Sequence, residues 1–372
     1  MKVPFYTSTR EYELYKEEFD AAISEVLHRG DFILGKDVLE FEHLAAEYLG
    51  VRYAVGVASG TDALVLGSDI LGFKGGEVLT PVFTFFASAS CIVRAGGKPV
   101  FVDIEPDTFN IDCSDLEQKI TSKTKGIVPV HLFLQPANME RIMQLAQTYN
   151  LAVLEDAAEA WGMKTLVNGI WHYAGTIAPI GIYSFFPTKT LGAYGDAGLM
   201  VTNDEELYNK IKSYRVHGSS QKYFHDYVGY NSRLDTVQAA ILKVKIKRID
   251  EAIQKRLHHA RHYNERLSKF EEITIPKIKE NNQAVYYVYS IMLDRRDDLA
   301  KRFQEKNIGY SIYYPLPLHL QKCFAYLGYK EGNFPVAERV SKRIIALPMF
   351  PELTENEVDY VCDVIEDFVK HG

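Results

Sequence analysis

The chain has few of the residues that mark disulfide-bonded or metal-binding proteins. Its 4 cysteines lie far apart in 372 residues and form no Cys-x-x-Cys pair, which argues against a disulfide framework and against a zinc or redox motif. Its 11 histidines contain no His-Glu-x-x-His motif. His258 and His262 would share a helix face, but no third ligand is evident. We therefore expect no metal site.

Long apolar runs and an excess of positive charge are also absent. No run approaches the ~18 apolar residues of a membrane span, and the first residues lack the apolar core of a signal peptide. We expect a cytoplasmic protein with no membrane partner. With 42 Lys and Arg against 49 Asp and Glu, the net charge of −7 argues against nucleic acid as a partner. The 47% hydrophobic content excludes a disordered chain.

The hydrophobic period changes along the chain. Residues 11–27 and 39–48 have helical spacing, the first with an apolar stripe that includes Leu14 and Leu27. Short apolar runs then alternate with helical stretches such as residues 62–71. The runs predicted as strands are residues 53–58, 77–80, 99–103, 126–130, 152–155, 181–185 and 199–202.

This alternation predicts an α/β fold, with a three-layer α/β/α large domain around a mainly parallel seven-stranded sheet. In such sheets a ligand binds at the carboxyl ends of the strands. A long helix is predicted from Asp235, its N-cap. Strand-like runs over residues 284–293 and 309–314 follow it, and then a helix over 354–370, where Thr354 and Glu357 have the spacing of a capping box. We expect a large domain over residues 1–249, including the N-terminal helices, and a smaller α+β domain over residues 250–372.

Three segments with chemistry-bearing residues follow predicted strands. The first contains Gly60 and Thr61 at the start of a helix, where free backbone N–H groups form either an anion site or a simple capped turn. The second places Glu155, Asp156 and Glu159 after an apolar strand, where carboxylates either cap the next helix or neutralise a cation.

The third segment contains Lys189, which lies between an aromatic pair and a glycine-rich loop. Desolvation in that setting lowers the pKa of a lysine and makes it a better nucleophile. A fourth segment, 229–235, leads into the long helix and presents Arg233 as either an exposed cap residue or a ligand for a carboxylate. Together these segments match the cofactor pyridoxal 5′-phosphate (PLP). PLP needs a phosphate-binding site, an acidic residue for its pyridinium nitrogen and a lysine for a Schiff base.

From about residue 35 to 364 the sequence resembles the DegT/DnrJ/EryC1/StrS sugar aminotransferases, which have PLP fold type I. The resemblance rests on several motifs in family order: SGTDAL, PVFTFFAS, FVDIEPDTFNID, EDAAEAWG, YSFFPTKTLGAYGDAGLMVTND, GYNSRLDTVQAAIL and YYPLPLHLQKCF. The departures include Trp161, Thr190, Leu134 and Tyr313, at positions where many members have other residues.

The resemblance implies a role for each of several residues toward the cofactor. Lys189 would form the Schiff base, Asp156 would pair with the pyridinium nitrogen, and Glu159 would lie near the cofactor's O3′. The other contacts would be Phe85, stacked on the ring; Gly60, Thr61 and Ser184, on the phosphate; and Asn231, supplied by the neighbouring subunit of an obligate homodimer.

The implied reaction is a ping-pong amino transfer from L-glutamate to a nucleotide-linked keto-sugar, with the cofactor cycling between PLP and pyridoxamine 5′-phosphate. The segment GYNSRLD resembles members that aminate C3 of 3-keto-6-deoxyhexoses, whereas Glu159 within EDAAEA resembles some members that aminate C4. The longer GYNSRLD match favours C3, with C4 amination of a 4-keto sugar as the alternative. Other hypotheses are a pyridoxamine-dependent sugar dehydratase and a non-catalytic PLP-binding regulator. Candidates for substrate contacts are Arg233, for the donor carboxylate, and His217, His225, Tyr313 and His319, for the sugar or diphosphate.

Overall fold

The computed structural model describes residues 1–371. The helices are α1 (Thr9–Leu14), α2 (Lys16–Arg29), α3 (Lys36–Leu49), α4 (Gly60–Ile70), α5 (Ala87–Arg94), α6 (Cys113–Gln118), α7 (Met139–Tyr149), α8 (Glu205–Tyr214), α9 (Thr236–Ile246), α10 (Ile249–Leu267), α11 (Arg296–Glu305), α12 (Pro335–Arg343) and α13 (Glu355–His371). The strands are β1 (Tyr53–Val57), β2 (Glu77–Pro81), β3 (Lys98–Val102), β4 (Thr124–Ile127), β5 (Ala152–Asp156), β6 (Lys164–Val167), β7 (Ile170–Tyr173), β8 (Ile180–Ser184), β9 (Gly198–Thr202), β10 (Ser219–Gln221), β11 (Phe224–His225), β12 (Asn282–Gln283), β13 (Tyr289–Met292) and β14 (Ile344–Leu347).

All the predicted large-domain strands belong to one seven-stranded sheet, in the order β1-β9-β8-β5-β4-β2-β3. Strands β3, β2, β4, β5 and β8 are mutually parallel, and β9 lies antiparallel between β8 and β1. The direction of β1 therefore matches that of β8. As a result, the loops after β1, β2, β5 and β8 all leave the same edge of the sheet.

Both faces of this sheet are covered, as its continuous apolar strands predict. Along β5, Leu154 packs into a cluster with α4, α5 and α8, whereas Val153 packs with α6 and α7. Along β8, Ile182 joins the first of these clusters, and Tyr183 joins a cluster with α3 and α9. The three-layer α/β/α architecture is confirmed.

The N-terminal helices pack on the large sheet domain, through contacts of α2 and α3 with α9. The single helix predicted over residues 11–27 is wrong in one respect, because the chain breaks at Tyr15 between α1 and α2. The predicted apolar stripe is also wrong at its ends, since Leu14 and Leu27 are 61% and 58% exposed. The buried face of α2 instead carries Phe19 and Val26.

The long helix predicted from Asp235 is two helices, α9 and α10, which are interrupted at residues 247–248. Asp235 occupies the N-cap position of α9, but its side chain makes no capping hydrogen bond. The hydroxyl of Thr236 accepts instead from the Gly35 backbone N–H at 3.1 Å, and it ties α9 to the start of α3.

The C-terminal part has its own apolar cluster, centred on the antiparallel pair β13–β14 and helices α10 to α13. This cluster also includes Val82 and Phe101 from the large sheet domain. The division between residues 249 and 250 stays a prediction. The predicted strand over 309–314 is reduced to a single bridge from Ser311 to Ala346. Within residues 1–371, every helix is too short or too polar to cross a membrane.

Candidate active site

Lys189 lies in the loop after β8, with its side chain only 14% exposed. Its Nζ donates a hydrogen bond to Glu159 Oε1 at 3.1 Å and lies 4.3 Å from the ring centre of Tyr287. The Tyr287 hydroxyl is in turn 3.1 Å from the hydroxyl of Thr188, the neighbour of the lysine. These contacts hold a primary amine in a fixed position inside the protein.

The prediction that the pKa of Lys189 is lowered overall is wrong. Burial does lower the pKa, but the negative charge of Glu159 and the hydrogen bond that Lys189 donates to it, with a further contribution from Asp156, raise the pKa above its ordinary value. The carboxylate outweighs burial because it lies in direct contact with the ammonium group. In this structure Lys189 is therefore an ammonium ion in an ion pair.

Asp156 ends β5 and is buried, with 2% exposure. One oxygen accepts from the hydroxyl of Ser88 at 2.8 Å, and the other accepts from the backbone N–H of Ala158 at 3.1 Å. Since the only proton of the Ser88 hydroxyl goes to Asp156, the Thr84 hydroxyl, 3.2 Å away, is the donor to Ser88. Burial raises the pKa of Asp156, and the Ser88 hydrogen bond opposes that effect.

The three carboxylates at the end of β5 and just beyond it have different partners. Glu159 pairs with Lys189, and its second oxygen accepts from the Phe133 backbone N–H at 3.0 Å. Glu155 points to the other face, where it accepts from His131 Nε2 at 2.8 Å and from backbone N–H groups. No helix starts at this segment, so the alternative that these carboxylates cap a helix is not realised.

The His131–Glu155 pair supports the same strand end. His131 Nδ1 accepts from the Ala137 backbone N–H, so Nε2 carries the proton donated to Glu155. Burial alone would raise the pKa of Glu155, but the His131 hydrogen bond and those from the backbone lower it below its ordinary value. The backbone N–H of His131 also bonds to the Asp156 carbonyl at 3.0 Å. The pair therefore fixes the position from which Asp156 projects.

The start of α4 meets the end of β8. A Cβ added to Gly60 would lie 2.6 Å from the Cβ of Ser184, so only glycine lets the two segments approach this closely. The helix is capped by the Ser59 hydroxyl, which accepts from the Asp62 N–H at 3.1 Å, and neither Thr61 nor Asp62 is the cap. The N–H groups of Gly60 and Thr61, in the first turn, have no acceptor within the helix.

The other predicted cofactor contacts lie on the surface of this chain. Phe85 follows β2 and is 57% exposed. Asn231 is exposed at the end of a hairpin segment, where its backbone bridges to Val216. Two residues further on, Arg233 is half-buried, and its Nε is buried without a hydrogen-bond partner. The alternative in which Arg233 is an exposed cap residue does not fit this burial.

The four remaining substrate candidates have different settings. His217 and His225 are exposed, and His225 Nδ1 is 3.0 Å from the His217 carbonyl. Tyr313 is half-buried, and burial raises its pKa against the opposing effect of a Ser311 hydrogen bond. His319 is 2% exposed and lies 3.0 Å from a carboxylate oxygen of Glu338, so it is a buried, paired residue.

Sequence reasoning missed Ser88 and Tyr287, which contact Asp156 and Lys189. Ser88 had a usable signal, because it lies four residues after Thr84 in a segment that follows a predicted strand. Tyr287 had none, since it is 98 residues from Lys189 and only the fold brings the two together.

These residues fit PLP. Asp156 is a buried carboxylate that pairs with no lysine, arginine or histidine within residues 1–371, and such a group suits a pyridinium N–H. The free N–H groups of Gly60 and Thr61, beside Ser184, suit a phosphate. Lys189 supplies the amine at the same sheet edge, and exposed Phe85 supplies an aromatic ring.

The chain is similar to known proteins of one family. The model of the DegT/DnrJ/EryC1/StrS aminotransferase family matches residues 13–366. A Geobacillus stearothermophilus protein named "Pleiotropic regulatory protein" is 45% identical over 374 residues, with 100% of both chains covered. The UDP-N-acetyl-3-dehydro-alpha-D-glucosamine 3-aminotransferase of Acidithiobacillus ferrooxidans is 38% identical, covering 98% of this chain and 97% of its own.

Among solved structures, NtdA from Bacillus subtilis with its bound cofactor PMP is similar at a TM-score of 0.91 and 32% identity. The likeness covers 100% of this chain and 86% of that one. The family model spans nearly the whole sequence, including every segment that forms the site. The chain belongs to the DegT/DnrJ/EryC1/StrS aminotransferase family.

Proposed function

We propose that this chain transfers an amino group from L-glutamate to a nucleotide-linked keto-sugar, with PLP and pyridoxamine 5′-phosphate as alternating forms of the cofactor. The observation that carries the proposal is the grouping of Lys189, the buried carboxylate of Asp156 and the Gly60–Ser184 contact at one edge of the sheet. When bound, the cofactor supplies an electron sink for cleavage of a C–H bond next to nitrogen.

The residues of this chain have distinct tasks in that reaction. Asp156 places a negative charge where a pyridinium nitrogen needs one, and Ser88 orients that carboxylate. The N–H groups of Gly60 and Thr61, with Ser184, hold the phosphate. Lys189 would hold the cofactor covalently and, as a free amine, would move a proton from the substrate carbon and back.

The candidate residues for substrate contacts differ in how well their settings support that role. The buried, unpartnered Nε of Arg233 supports a role in binding the donor carboxylate, because a guanidinium binds a carboxylate through two hydrogen bonds. Tyr313, His217 and His225 are proposed for the sugar or diphosphate. His319 has the least support, since its Nε2 already pairs with Glu338 in a buried position.

For the sugar, we propose amination at C3. The name of the Acidithiobacillus relative specifies a 3-aminotransferase and a UDP-linked sugar, which supports C3 and widens the choice of substrate beyond 6-deoxyhexoses. Assays with UDP-, dTDP- and GDP-linked 3-keto and 4-keto sugars test this. Product from the 4-keto sugars alone would overturn the C3 assignment.

We also propose a homodimer in which Asn231 completes the partner's site. The hairpin β10–β11 and the turn after it expose large apolar groups, with Tyr223 at 83%, Phe224 at 68% and Val228 at 95%. A monomeric protein rarely exposes a continuous apolar patch of this kind. The patch ends three residues before Asn231.

The core of the proposal is tested on purified protein supplied with PLP. We expect a visible absorbance band that borohydride abolishes, and a reduced cofactor on the peptide that contains Lys189. Lys189→Ala, tested in parallel, is expected to bind PLP weakly without the covalent adduct and to lose activity by a factor of at least about 10³. A wild-type protein that stays unlabelled at Lys189 would overturn the assignment.

A second candidate, a ligand-sensing regulator, is favoured by the name of the 45% identical Geobacillus relative. Lys189 and Asp156 would then bind the cofactor without turnover. Formation of 2-oxoglutarate from L-glutamate, coupled to disappearance of the keto-sugar, separates the two functions. Cofactor binding with no transfer to any sugar in the panel would favour the regulator.

A further inference from the structure

Both carboxylate oxygens of Glu159 are engaged, one of them by Lys189. Its Oε1 accepts from Lys189 Nζ at 3.1 Å, and Oε2 is fixed by the Phe133 backbone N–H at 3.0 Å. Glu159 is 7% exposed. Within residues 1–371, Lys189 Nζ makes no other hydrogen bond. Any proton that leaves this amine therefore has one protein acceptor within reach.

The other charged and titratable groups around the pair do not compete for this role. Asp156, at the end of β5, accepts hydrogen bonds from Ser88 and Ala158. Tyr287 presents its ring face to Nζ, and its hydroxyl contacts Thr188. Tyr313 and Tyr314 face the pair from the segment after α11, and burial raises the pKa of both, so they stay neutral at ordinary pH.

We propose that Glu159 is the acid–base partner of Lys189, accepting the ammonium proton when the amine must react and remaining as counter-ion when the nitrogen is protonated again. This inference rests on the proposed function, because it assigns Lys189 to covalent attachment of the cofactor. It goes beyond the contact with O3′ that the family resemblance implies for Glu159.

Lys189 and Glu159 together account for every proton that moves in the attachment step. The ammonium group of Lys189 gives one proton to the Glu159 carboxylate, and the neutral amine forms a C–N bond to the aldehyde carbon. A second proton moves from nitrogen to the former carbonyl oxygen. The C–O bond then breaks, and that oxygen leaves as water with the proton returned by Glu159. The C=N nitrogen keeps one proton beside the Glu159 carboxylate.

The test compares wild type with Glu159→Gln, which keeps shape and the Phe133 contact but removes the charge. In the PLP-loaded protein, the pH midpoint of the visible-band transition is expected to fall by at least about 1 unit, because a carboxylate in contact favours the protonated nitrogen. Glu352→Gln removes a half-buried carboxylate that makes no ion pair with Lys189, and its midpoint is expected to match that of wild type.

A second readout needs no cofactor. Acetylation of Lys189 by an amine-reactive reagent, followed by peptide mass spectrometry across about pH 6 to 11, reports the free amine. We expect Glu159→Gln to react at lower pH than wild type. Midpoints within about 0.3 unit of wild type in both assays would overturn the proposal. If PLP never attaches to wild-type Lys189, the proposed function fails, and the acetylation result still reports on the pair.

Discussion

At the scale of single residues, contact distance decides the charge state of the site. Lys189 and Asp156 are both buried, and burial alone would favour the neutral form of each. Lys189 has a carboxylate at 3.1 Å and its pKa is raised, whereas Asp156 has only neutral donors and its pKa is raised as well. The site therefore contains the charged amine of Lys189 and the carboxyl group of Asp156, which lacks a cationic partner.

Ser88 is the residue-scale test of this arrangement. Ser88→Ala removes the hydroxyl that donates to the buried Asp156 carboxylate, and we expect a loss of about 1–3 kcal/mol in the free energy of unfolding. Ser90→Ala is the matched control, because Ser90 is a buried serine of the same helix whose hydroxyl makes only a 3.5 Å contact to the Ala87 carbonyl.

Urea unfolding of the cofactor-free variants measures the free energy of unfolding for Ser88→Ala and for Ser90→Ala. The pKa of Asp156 is raised in the folded protein above its ordinary value of 3.8, so the folded state binds this proton more tightly than the unfolded state does. Its contribution to stability is therefore lost as pH rises through the folded pKa, and Ser88→Ala should extend that loss to higher pH. Equal unfolding energies for the two variants would contradict the role given to Ser88.

At the scale of elements, helix α13 shows how a local signal and a distant contact combine. Thr354 and Glu357 form the predicted capping box: the Thr354 N–H donates to Glu357 at 2.9 Å, and the Glu357 N–H lies 3.3 Å from the Thr354 hydroxyl. Arg10 of α1 adds a bidentate pair to the same carboxylate, at 2.6 and 2.7 Å. The N-terminal segment is thereby joined to the C-terminal helix.

Glu357→Gln is expected to destabilise the protein in a pH-dependent way. The Arg10 pair, with the Thr354 hydrogen bonds, lowers the pKa of Glu357 from 4.5 to about 2. The stabilisation is complete above pH 4.5 and is lost as pH falls toward 2. At neutral pH the variant should lose about 1–2 kcal/mol in unfolding free energy, since Arg10 is partly exposed and solvent screens the pair.

Urea titrations at several pH values check this expectation. The difference between wild type and Glu357→Gln should shrink as the buffer is made more acidic. Glu355→Gln, at an exposed carboxylate of the same first turn, is the control and should change stability little. A difference that persists unchanged below the folded pKa would contradict the assignment.

At the scale of the whole molecule, the apolar hairpin is expected to form the contact between subunits. Val228→Asp places a charge at a 95% exposed position of this patch, and we expect it to shift the protein from dimer to monomer in sedimentation velocity. Ile170→Asp is the control, because Ile170 is an exposed aliphatic residue, at 61%, on strand β7 outside the patch.

The same variants also test whether the dimer completes the site. If Asn231 reaches the partner's cofactor, Val228→Asp should weaken PLP binding at protein concentrations where it is monomeric, while Ile170→Asp should not. A Val228→Asp protein that sediments as wild type would contradict the interface. A monomer with unchanged PLP affinity would contradict the shared site but would agree with the proposed interface.

Much of the fold was predictable because β-strand burial and helix capping are local properties. Six of the seven main-sheet strands were predicted to within one residue at each end, and the capping box of α13 was predicted as well, whereas β4 was predicted two to three residues too late. The interruption between α9 and α10 was missed because the apolar stripe continues across it. The tyrosine-containing break between α1 and α2 was missed for a similar reason, since helical spacing alone does not mark a helix end.

The sequence by itself determined the layered α/β architecture and which side chains follow its strands, because the alternation of strands and helices is a local pattern. Only the tertiary structure decided what these side chains do to one another. Glu159 and Lys189 are 30 residues apart, and Ser88 and Asp156 are 68 apart. Coulomb energy depends on distances in space, so the charge state of Lys189 followed from the packing of the loops and not from its neighbours in sequence.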